Sequence, residues 1–185
     1  MDAHADMRDS YEDSPFNHAC VARRISEICP IVQVGIRSLS DEEATFLKKQ
    51  RAEGRGQRVK KTQNLKLKTQ NSISTYYASD IQHGFPMDEI CSKLTDDVFL
   101  TIDLDVLDPS IMPATGTPEP GGIGWYEILD ILKAVILRKK IVGFDVVELC
   151  PIPGNAAPNF LTAKLIYRVM GYIKNSNLYA VSRKQ

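Results

Sequence analysis

The stretch TIDLDVLDPSIMPATGTPEPGG, residues 101–122, runs from an apolar strand into a loop rich in proline and glycine. Asp103 and Asp105 stand two positions apart, so an extended strand would project both carboxylates from one face at its carboxyl end. Asp108-Pro109 then ends the strand, because proline cannot donate a hydrogen bond to a neighbouring strand. Two carboxylates held this close repel each other unless a positive group neutralises them. The stretch therefore predicts an apolar strand that delivers a cation-binding site.

Two known kinds of binding loop are excluded by residues that this stretch lacks. The D-x-D-x-x-D pattern has Asp108 where a calcium-binding EF-hand loop has glycine, and Ala114 where that loop has glutamate. The segment PATGTPEPGG, residues 113–122, lacks the G-K-[ST] sequence of a phosphate-binding P-loop. Its prolines and glycines indicate either a rigid loop that brings backbone close to a substrate or a purely structural turn.

A second group of potential metal ligands lies in MDAHADMRDS, residues 1–10. Asp2, His4 and Asp6 alternate along the chain, and an extended segment would point all three side chains the same way. Two carboxylates and an imidazole on one face suit a divalent cation. The alternative is a solvated acidic terminus.

Outward from these motifs, strand patterns alternate with helix patterns. Strands are predicted at 30–36, 73–78, 97–105 and 141–149. Helices are predicted at 16–28, 87–94, 125–139 and 159–172. A further helix should begin at a capping box formed by Ser40 and Glu43 and run to about Gln50. The alternation predicts a single α/β domain over residues 1–185, with three αβα layers and a mainly parallel sheet covered by helices on both faces. In such folds ligands bind beyond the carboxyl ends of the strands, where both acidic motifs fall.

The composition excludes several classes of protein. The 185 residues are 43% hydrophobic, which is enough for one domain with a core. The 23 basic residues balance 23 acidic ones, so no overall attraction to nucleic acid or to an anionic membrane is expected. No apolar run approaches the roughly 18 residues of a membrane span, and no signal sequence is evident. Four cysteines without a C-x-x-C pair indicate reduced thiols, so we expect a soluble, cytoplasmic protein.

Together, D-A-H-A-D (2–6), D-L-D-V-L-D-P (103–109), P-A-T-G-T-P-E-P-G-G (113–122) and Glu148 resemble the motifs of the ureohydrolase family, which contains the arginases and agmatinases. The resemblance covers nearly the whole chain, and the motifs stand in the order that the family has. It implies an arginase-like fold and two Mn²⁺ ions that activate a hydroxide, which attacks the guanidinium carbon of the substrate and releases urea. Carboxylates with a single imidazole also favour Mn²⁺ or Mg²⁺ over Zn²⁺.

The resemblance assigns metal-binding roles residue by residue. Asp2 and Asp103 would bridge the two ions. His4 and Asp105 would complete the ligand shell of one ion, and Asp6 would bind the other.

The resemblance also places residues near the substrate. His18 would pass a proton to the leaving amine, and the alternative is a histidine at a helix start with a structural hydrogen bond. Glu148 would pair with the substrate guanidinium, with Asp145 orienting it. Thr117 would hydrogen-bond near the substrate, and the alternative is a residue that serves only the turn.

The expected substrate is a small guanidino compound. Arginases have an asparagine at the position of Arg8, where it helps to bind the α-amino acid end of arginine, so the chain resembles agmatinases more than arginases. The resemblance therefore favours hydrolysis of agmatine to putrescine and urea, a step of polyamine biosynthesis. Arginase, guanidinobutyrase and formimidoylglutamase activities stay open as alternatives.

Two features of the chain depart from the family pattern. The family's amino-terminal portion, with a G-G-D-H motif whose histidine binds the same ion as Asp6, is not found here, so we expect a carboxy-terminal portion with one weakened metal site. Relatives form homo-oligomers, and the same is expected of this chain. A basic, polar insertion at about 51–70 lies within residues 48–68, which hold nine Lys or Arg and one Glu. It has no aromatic residue for base stacking, so a solvated insertion is favoured over an inactive relative that binds RNA or an acidic partner.

Overall fold

A computed structural model describes residues 1–56, 72–81 and 84–182 of the chain. The strands in these residues are β1 (Ile31–Ile36), β2 (Ile73–Tyr77), β3 (Asp97–Asp103) and β4 (Lys140–Val147). The helices are α1 (Val21–Ser26), α2 (Asp41–Gly56), α3 (Ala78–Ile81), α4 (Met87–Lys93), α5 (Trp125–Arg138) and α6 (Ala157–Ser182). Two 3-10 turns span His18–Cys20 and Leu104–Val106.

The N-terminal segment, residues 1–5, joins two parallel strand pairs. β1 pairs with β2 and β3 pairs with β4, each in the parallel sense. The segment lies between the pairs, because the Asp2 amide donates to the Val34 carbonyl at 3.1 Å. On its other side, the Asp103 amide donates to the Met1 carbonyl at 2.9 Å. The resulting order is β2, β1, the N-terminal segment, β3 and β4.

The alternation of β3 fixes which face of the strand enters the core. Val98, Leu100 and Ile102 are buried, whereas the residues between them are exposed. Of these, Leu100 and Ile102 join one hydrophobic cluster with Ile128 and Leu132 of α5. Burial of each such side chain contributes about 1.5–3 kcal/mol, so the strand is held mainly by helix packing on this face.

β1 contributes to clusters on both sides of the sheet. Val32 packs against the cluster that contains α5, whereas Ile31 packs against a second cluster with Ile36 and with Leu47 of α2. Successive strand residues point to opposite faces, so helices lie on both sides of the sheet at β1. The predicted α/β class with a parallel sheet is confirmed.

At β3 and β4, apolar side chains on one face of the sheet are exposed. Phe99 of β3 and Val142 of β4 are 61% and 57% exposed. Within the described residues, this part of the sheet therefore has one face that is partly exposed.

The strand that carries the acidic pair ends earlier than predicted. β3 stops at Asp103, and Asp105 lies in the Leu104–Val106 turn rather than in a strand. The Asp103 side chain accepts a hydrogen bond from the Asp105 amide at 3.0 Å, and this N-cap turns the chain. The expectation that both carboxylates project from one strand face is therefore wrong.

Helix boundaries also differ from the predicted ones. The predicted helix at 16–28 is a 3-10 turn followed by the short α1, whereas α2 continues to Gly56 and α6 to Ser182. The predicted capping box is confirmed, because the Ser40 amide donates to Glu43 Oε2 at 2.7 Å and the Glu43 amide donates to Ser40 Oγ at 3.4 Å.

Most of the basic insertion predicted at 51–70 lies outside the described residues. Among the residues that are described, no helix has the length and apolar character needed to cross a membrane.

Candidate metal and substrate site

A cavity of about 600 Å³ opens beyond the carboxyl ends of the strands. It is lined by all eight side chains that the sequence singles out as site residues: Asp2, His4, Asp6, His18, Asp103, Asp105, Thr117 and Glu148. These residues are distant in sequence, and the parallel sheet brings them together because its strands all end at the same edge. Their chemical roles stay predictions.

Asp2, His4 and Asp105 form a compact group of potential metal ligands. Their ligand atoms all lie within 4.8 Å of one another. His4 Nδ1 lies 2.8 Å from Asp105 Oδ2 and 3.8 Å from Asp2 Oδ1. Among the described residues, Asp6 and Asp103 line the same cavity but lie outside this group. The structure therefore brings three of the five expected ligands within reach of a single ion.

The electrostatics of the cavity fit a cation. Burial raises the pKa of Asp103 to about 9 and that of Asp2 to about 7, and nearby carboxylates contribute to both increases. Burial likewise raises the pKa of Asp6 to about 6. The hydrogen bond to Asp105 is the main cause that raises the pKa of His4 to about 9. A divalent cation would relieve this repulsion, and carboxylate oxygens with one imidazole fit Mn²⁺.

Two of the predicted site residues adopt a left-handed backbone. Asp6 has φ 51° and Glu148 has φ 66°, a region that non-glycine residues seldom occupy. Such conformations persist where the surrounding structure over-determines them, and they cluster at functional sites. Asp6 therefore reaches the cavity from a turned backbone rather than from the extended segment that the sequence predicts.

Glu43 is a site residue that the sequence assigned only to a helix start. It lines the cavity, is 4% exposed, and its Oε1 accepts a hydrogen bond from the Met7 amide at 2.8 Å. The same carboxylate caps α2 through Ser40. Glu43 thus fixes the chain directly after Asp6 to the first turn of α2. The capping-box motif was the signal, although it gave no indication of the contact with Met7.

His18 stands at the cavity beside an aromatic and a basic residue. Asn17 caps the 3-10 turn, because its side chain accepts from the Ala19 amide at 3.3 Å. The His18 ring lies edge-on to Tyr11, with ring centroids 5.8 Å apart, and the Arg8 guanidinium lies 4.7 Å from the same tyrosine ring. No hydrogen bond of the His18 ring is found within residues 1–56, 72–81 and 84–182, so the alternative of a structural hydrogen bond has no support there.

The loop that contains Thr117 is fixed to the end of β3. Asp108 Oδ2 accepts hydrogen bonds from the amides of Gly121 and Gly122 at 3.0 and 3.1 Å. A Cβ added at Gly116 would lie 3.9 Å from Glu148 Oε2, so the loop passes beside Glu148. The role of Thr117 itself stays a prediction.

The partner of Asp145 differs from the one expected. Its carboxylate accepts a hydrogen bond from the Thr101 hydroxyl at 2.6 Å. Its contact in the structure is therefore with β3, and not with Glu148 as the sequence suggested.

The parallel sheet and the carboxylate-rich cavity beyond its strand ends place this chain in the class of α/β proteins with a candidate metal site. Within that class, the family model described as "Arginase family" matches residues 1–171 of the sequence. The chain therefore belongs to the arginase family. The family resemblance inferred from the motifs is thereby confirmed.

Individual relatives agree with the family match. An N(1)-aminopropylagmatine ureohydrolase of Synechocystis sp. is 38% identical over 175 residues, which cover 93% of this chain and 50% of that protein. An agmatinase of Pyrococcus horikoshii is 37% identical over 172 residues, which cover 92% of this chain and 53% of that protein. The crystal structure of an agmatine ureohydrolase of Thermoplasma volcanium matches with a TM-score of 0.71 and 28% identity, covering 94% of this chain and 53% of that one. The chain spans about half the length of the curated relatives it matches.

Proposed function

We propose that this chain takes part in the manganese-dependent hydrolysis of a guanidino compound, with agmatine, converted to putrescine and urea, as the first candidate substrate. The observation that carries the proposal is the convergence of the eight predicted site residues on one cavity of about 600 Å³. The agmatinase relative at 37% identity supports the choice of substrate.

The proposed metal ligands are Asp2, His4, Asp6, Asp103 and Asp105. A pair of Mn²⁺ ions would supply a hydroxide at neutral pH and a Lewis acid for the guanidinium group. The chain's own contribution is to hold the buried carboxylates close together, at a position where their mutual repulsion favours the binding of positive charge.

Glu148 and His18 carry the proposed substrate roles. A carboxylate fits the planar donor array of a guanidinium, so Glu148 would bind and orient the substrate at the mouth of the metal site. The His18 imidazole lines the same cavity, and a histidine side chain suits transfer of a proton to the leaving amine at neutral pH. Thr117 lies on the loop beside Glu148 and would donate or accept a hydrogen bond there.

N(1)-aminopropylagmatine is the second candidate substrate. It is favoured by the Synechocystis relative, which carries that name and is 38% identical to this chain. Arginine, guanidinobutyrate and formiminoglutamate complete the set of substrates to be compared.

The test is a substrate panel with the full chain and added Mn²⁺. We expect slow release of urea from agmatine or N(1)-aminopropylagmatine, and fewer than two Mn²⁺ to be bound per chain by elemental analysis. Formamide detection covers formiminoglutamate. Absence of bound Mn²⁺, with no product from any substrate, would overturn the proposal.

Several wider features belong to the same proposal. We place the protein in the cytoplasm as a homo-oligomer, treat residues 1–185 as a single domain, and regard the basic segment 48–68 as a bystander to catalysis. Deletion of 51–70 should then leave urea release unchanged. Salt-sensitive retention on nucleic acid that is lost on deletion would favour the alternative of a binding module.

A further inference from the structure

We propose that Arg37 is a positioning residue that sets the orientation of His4 toward a bound cation, acting through Asp105 and Glu119. The inference rests on the proposed function, because it assumes that His4 binds the cation. Neither Arg37 nor Glu119 belongs to the predicted ligand set.

The Arg37 guanidinium is bound by backbone carbonyls. Its Nη2 donates to the Asp105 carbonyl at 2.6 Å and to the Glu119 carbonyl at 2.7 Å. Its Nε donates to the Pro120 carbonyl at 3.0 Å, and its Nη1 donates to the Gly35 carbonyl at 3.2 Å. One side chain thus joins the end of β1, the turn after β3 and the loop that carries Thr117.

The two residues that share Arg37 Nη2 also flank the His4 ring. Asp105 Oδ2 lies 2.8 Å from His4 Nδ1, and Glu119 Oε1 lies 3.9 Å from His4 Nε2. Each ring nitrogen therefore faces a carboxylate, and the backbones of both carboxylate residues are held by a single guanidinium.

This arrangement suits a histidine that binds a metal ion. A metal-binding histidine uses one nitrogen for the ion and commonly donates its other N–H to a carboxylate, which fixes the ring orientation. With the cation at Nδ1 beside Asp105, His4 Nε2 faces Glu119 Oε1 at 3.9 Å, a contact between charged groups that is longer than a direct hydrogen bond. Arg37 keeps the two carboxylate residues at the spacing that this orientation requires.

A lysine cannot reproduce the contacts of Arg37. Arginine offers five donors in a rigid planar fork, whereas the lysine ammonium offers three donors on a single nitrogen. The Arg37→Lys variant would retain the charge and lose the simultaneous contacts with separate carbonyls. Comparing Arg37→Lys with Arg37→Met therefore separates charge from geometry.

The experiment measures Mn²⁺ dissociation constants of the full chain by titration calorimetry, with folding checked by circular dichroism. We expect Arg37→Met to weaken Mn²⁺ binding about 10- to 100-fold, as is usual for residues that orient a metal ligand, with Arg37→Lys between it and the wild type. Glu119→Ala changes a partly exposed side chain and should weaken binding about tenfold while the fold is kept. Arg138→Met, which changes an exposed arginine paired with Asp88, is the matched control and should bind as the wild type does.

A double variant tests whether Arg37 and Glu119 act through the same ring. If both orient His4, the Arg37→Lys/Glu119→Ala variant should lose less affinity than the product of the two single losses, because neighbouring residues in one network are not additive. If the wild type binds Mn²⁺, and the folded Arg37→Lys and Glu119→Ala variants bind it equally well, this inference alone is overturned. A wild-type chain that binds no Mn²⁺ would overturn the proposed function, and the inference with it. Arg37→Lys and Glu119→Ala keep the test decisive if Arg37→Met fails to fold.

Discussion

At the scale of single residues, Asp103 shows how the site opposes the stability of the fold. Burial and the neighbouring carboxylates of Asp2 and Asp105 raise its pKa to about 9, so its charged form is disfavoured in the folded chain. A group that is costly to the fold and lines the candidate site is a better candidate for a ligand than for a structural residue.

Asp103→Asn should therefore have effects of opposite sign on stability and on metal binding. Asparagine still accepts the hydrogen bond from the Asp105 amide but carries no charge, so the metal-free protein at pH 8 should gain on the order of 1 kcal/mol in unfolding free energy. Mn²⁺ affinity should fall at least tenfold because an oxyanion ligand is lost. Chemical denaturation and calorimetry measure the two effects.

Asp97→Asn is the control for that prediction. Asp97 begins the same strand and forms an ion pair with Lys140 in which both side chains are exposed, so neither quantity should change appreciably. An Asp103→Asn protein that binds Mn²⁺ as tightly as the wild type would remove Asp103 from the ligand set.

At the scale of elements, the predictable and unpredictable parts of the fold have separate causes. β3 was predictable because its buried residues Val98, Leu100 and Ile102 repeat at every second position. The 3-10 turn after it was not, because the Asp103 side chain accepts a local hydrogen bond from the Asp105 amide, and this overrides the strand pattern. The exposure of Phe99 was not predictable either, because continuous apolar strands favour burial on both sides.

The start of α2 gives a prediction at this scale. Glu43→Ala should lower the unfolding free energy by about 2–3 kcal/mol, because it removes the capping box and leaves the Met7 amide without its partner. Glu42→Ala, at the neighbouring position, should cost less than about 0.5 kcal/mol. Equal denaturation midpoints for the two variants would show that Glu43 has no role beyond the helix dipole.

The loop after β3 gives a second prediction about an element. A Cβ at Gly122 would overlap the Asp108 amide nitrogen and lie 2.5 Å from the Leu107 carbonyl carbon, so Gly122→Ala should displace the loop and destabilise the protein by about 1–3 kcal/mol. Gly171→Ala, in α6 with open space around it, should instead stabilise the chain by up to about 1 kcal/mol. Thermal melts of both variants make the comparison.

At the scale of the whole molecule, the site depends on contacts that span the chain. Eight of the residues that line the cavity were predictable from motifs. The position of residues 1–5 between β1 and β3 was not, because the segment pairs with Val34 and with the end of β3 about a hundred residues away. The bridging role of Arg37 was missed for the same reason, since its partners are backbone carbonyls that leave no pattern in the sequence.

The crowded ionisable groups make the stability of the whole protein depend on pH. The pKa values of Asp2 and Asp103 are raised to about 7 and about 9, so between pH 4 and 9 the folded chain holds protons that the unfolded chain has released. The pKa of His4, raised to about 9, acts in the same direction above pH 6.5. The unfolding free energy of the metal-free protein should therefore fall as pH rises from 5 to 9.

Mn²⁺ should reverse this trend, because it takes the place of the protons that the carboxylates would otherwise hold. The stabilisation by Mn²⁺ should thus be small at pH 5 and grow toward pH 9, since binding at low pH must first displace bound protons. Denaturation at both pH values, with a chelator or with excess Mn²⁺, measures the four unfolding free energies. An Asp2→Asn/Asp103→Asn variant should have a flatter pH profile and a smaller response to Mn²⁺. A metal-free wild type that is equally stable at pH 5 and 9, with a pH-independent response to Mn²⁺, would show that these side chains are not held together in solution.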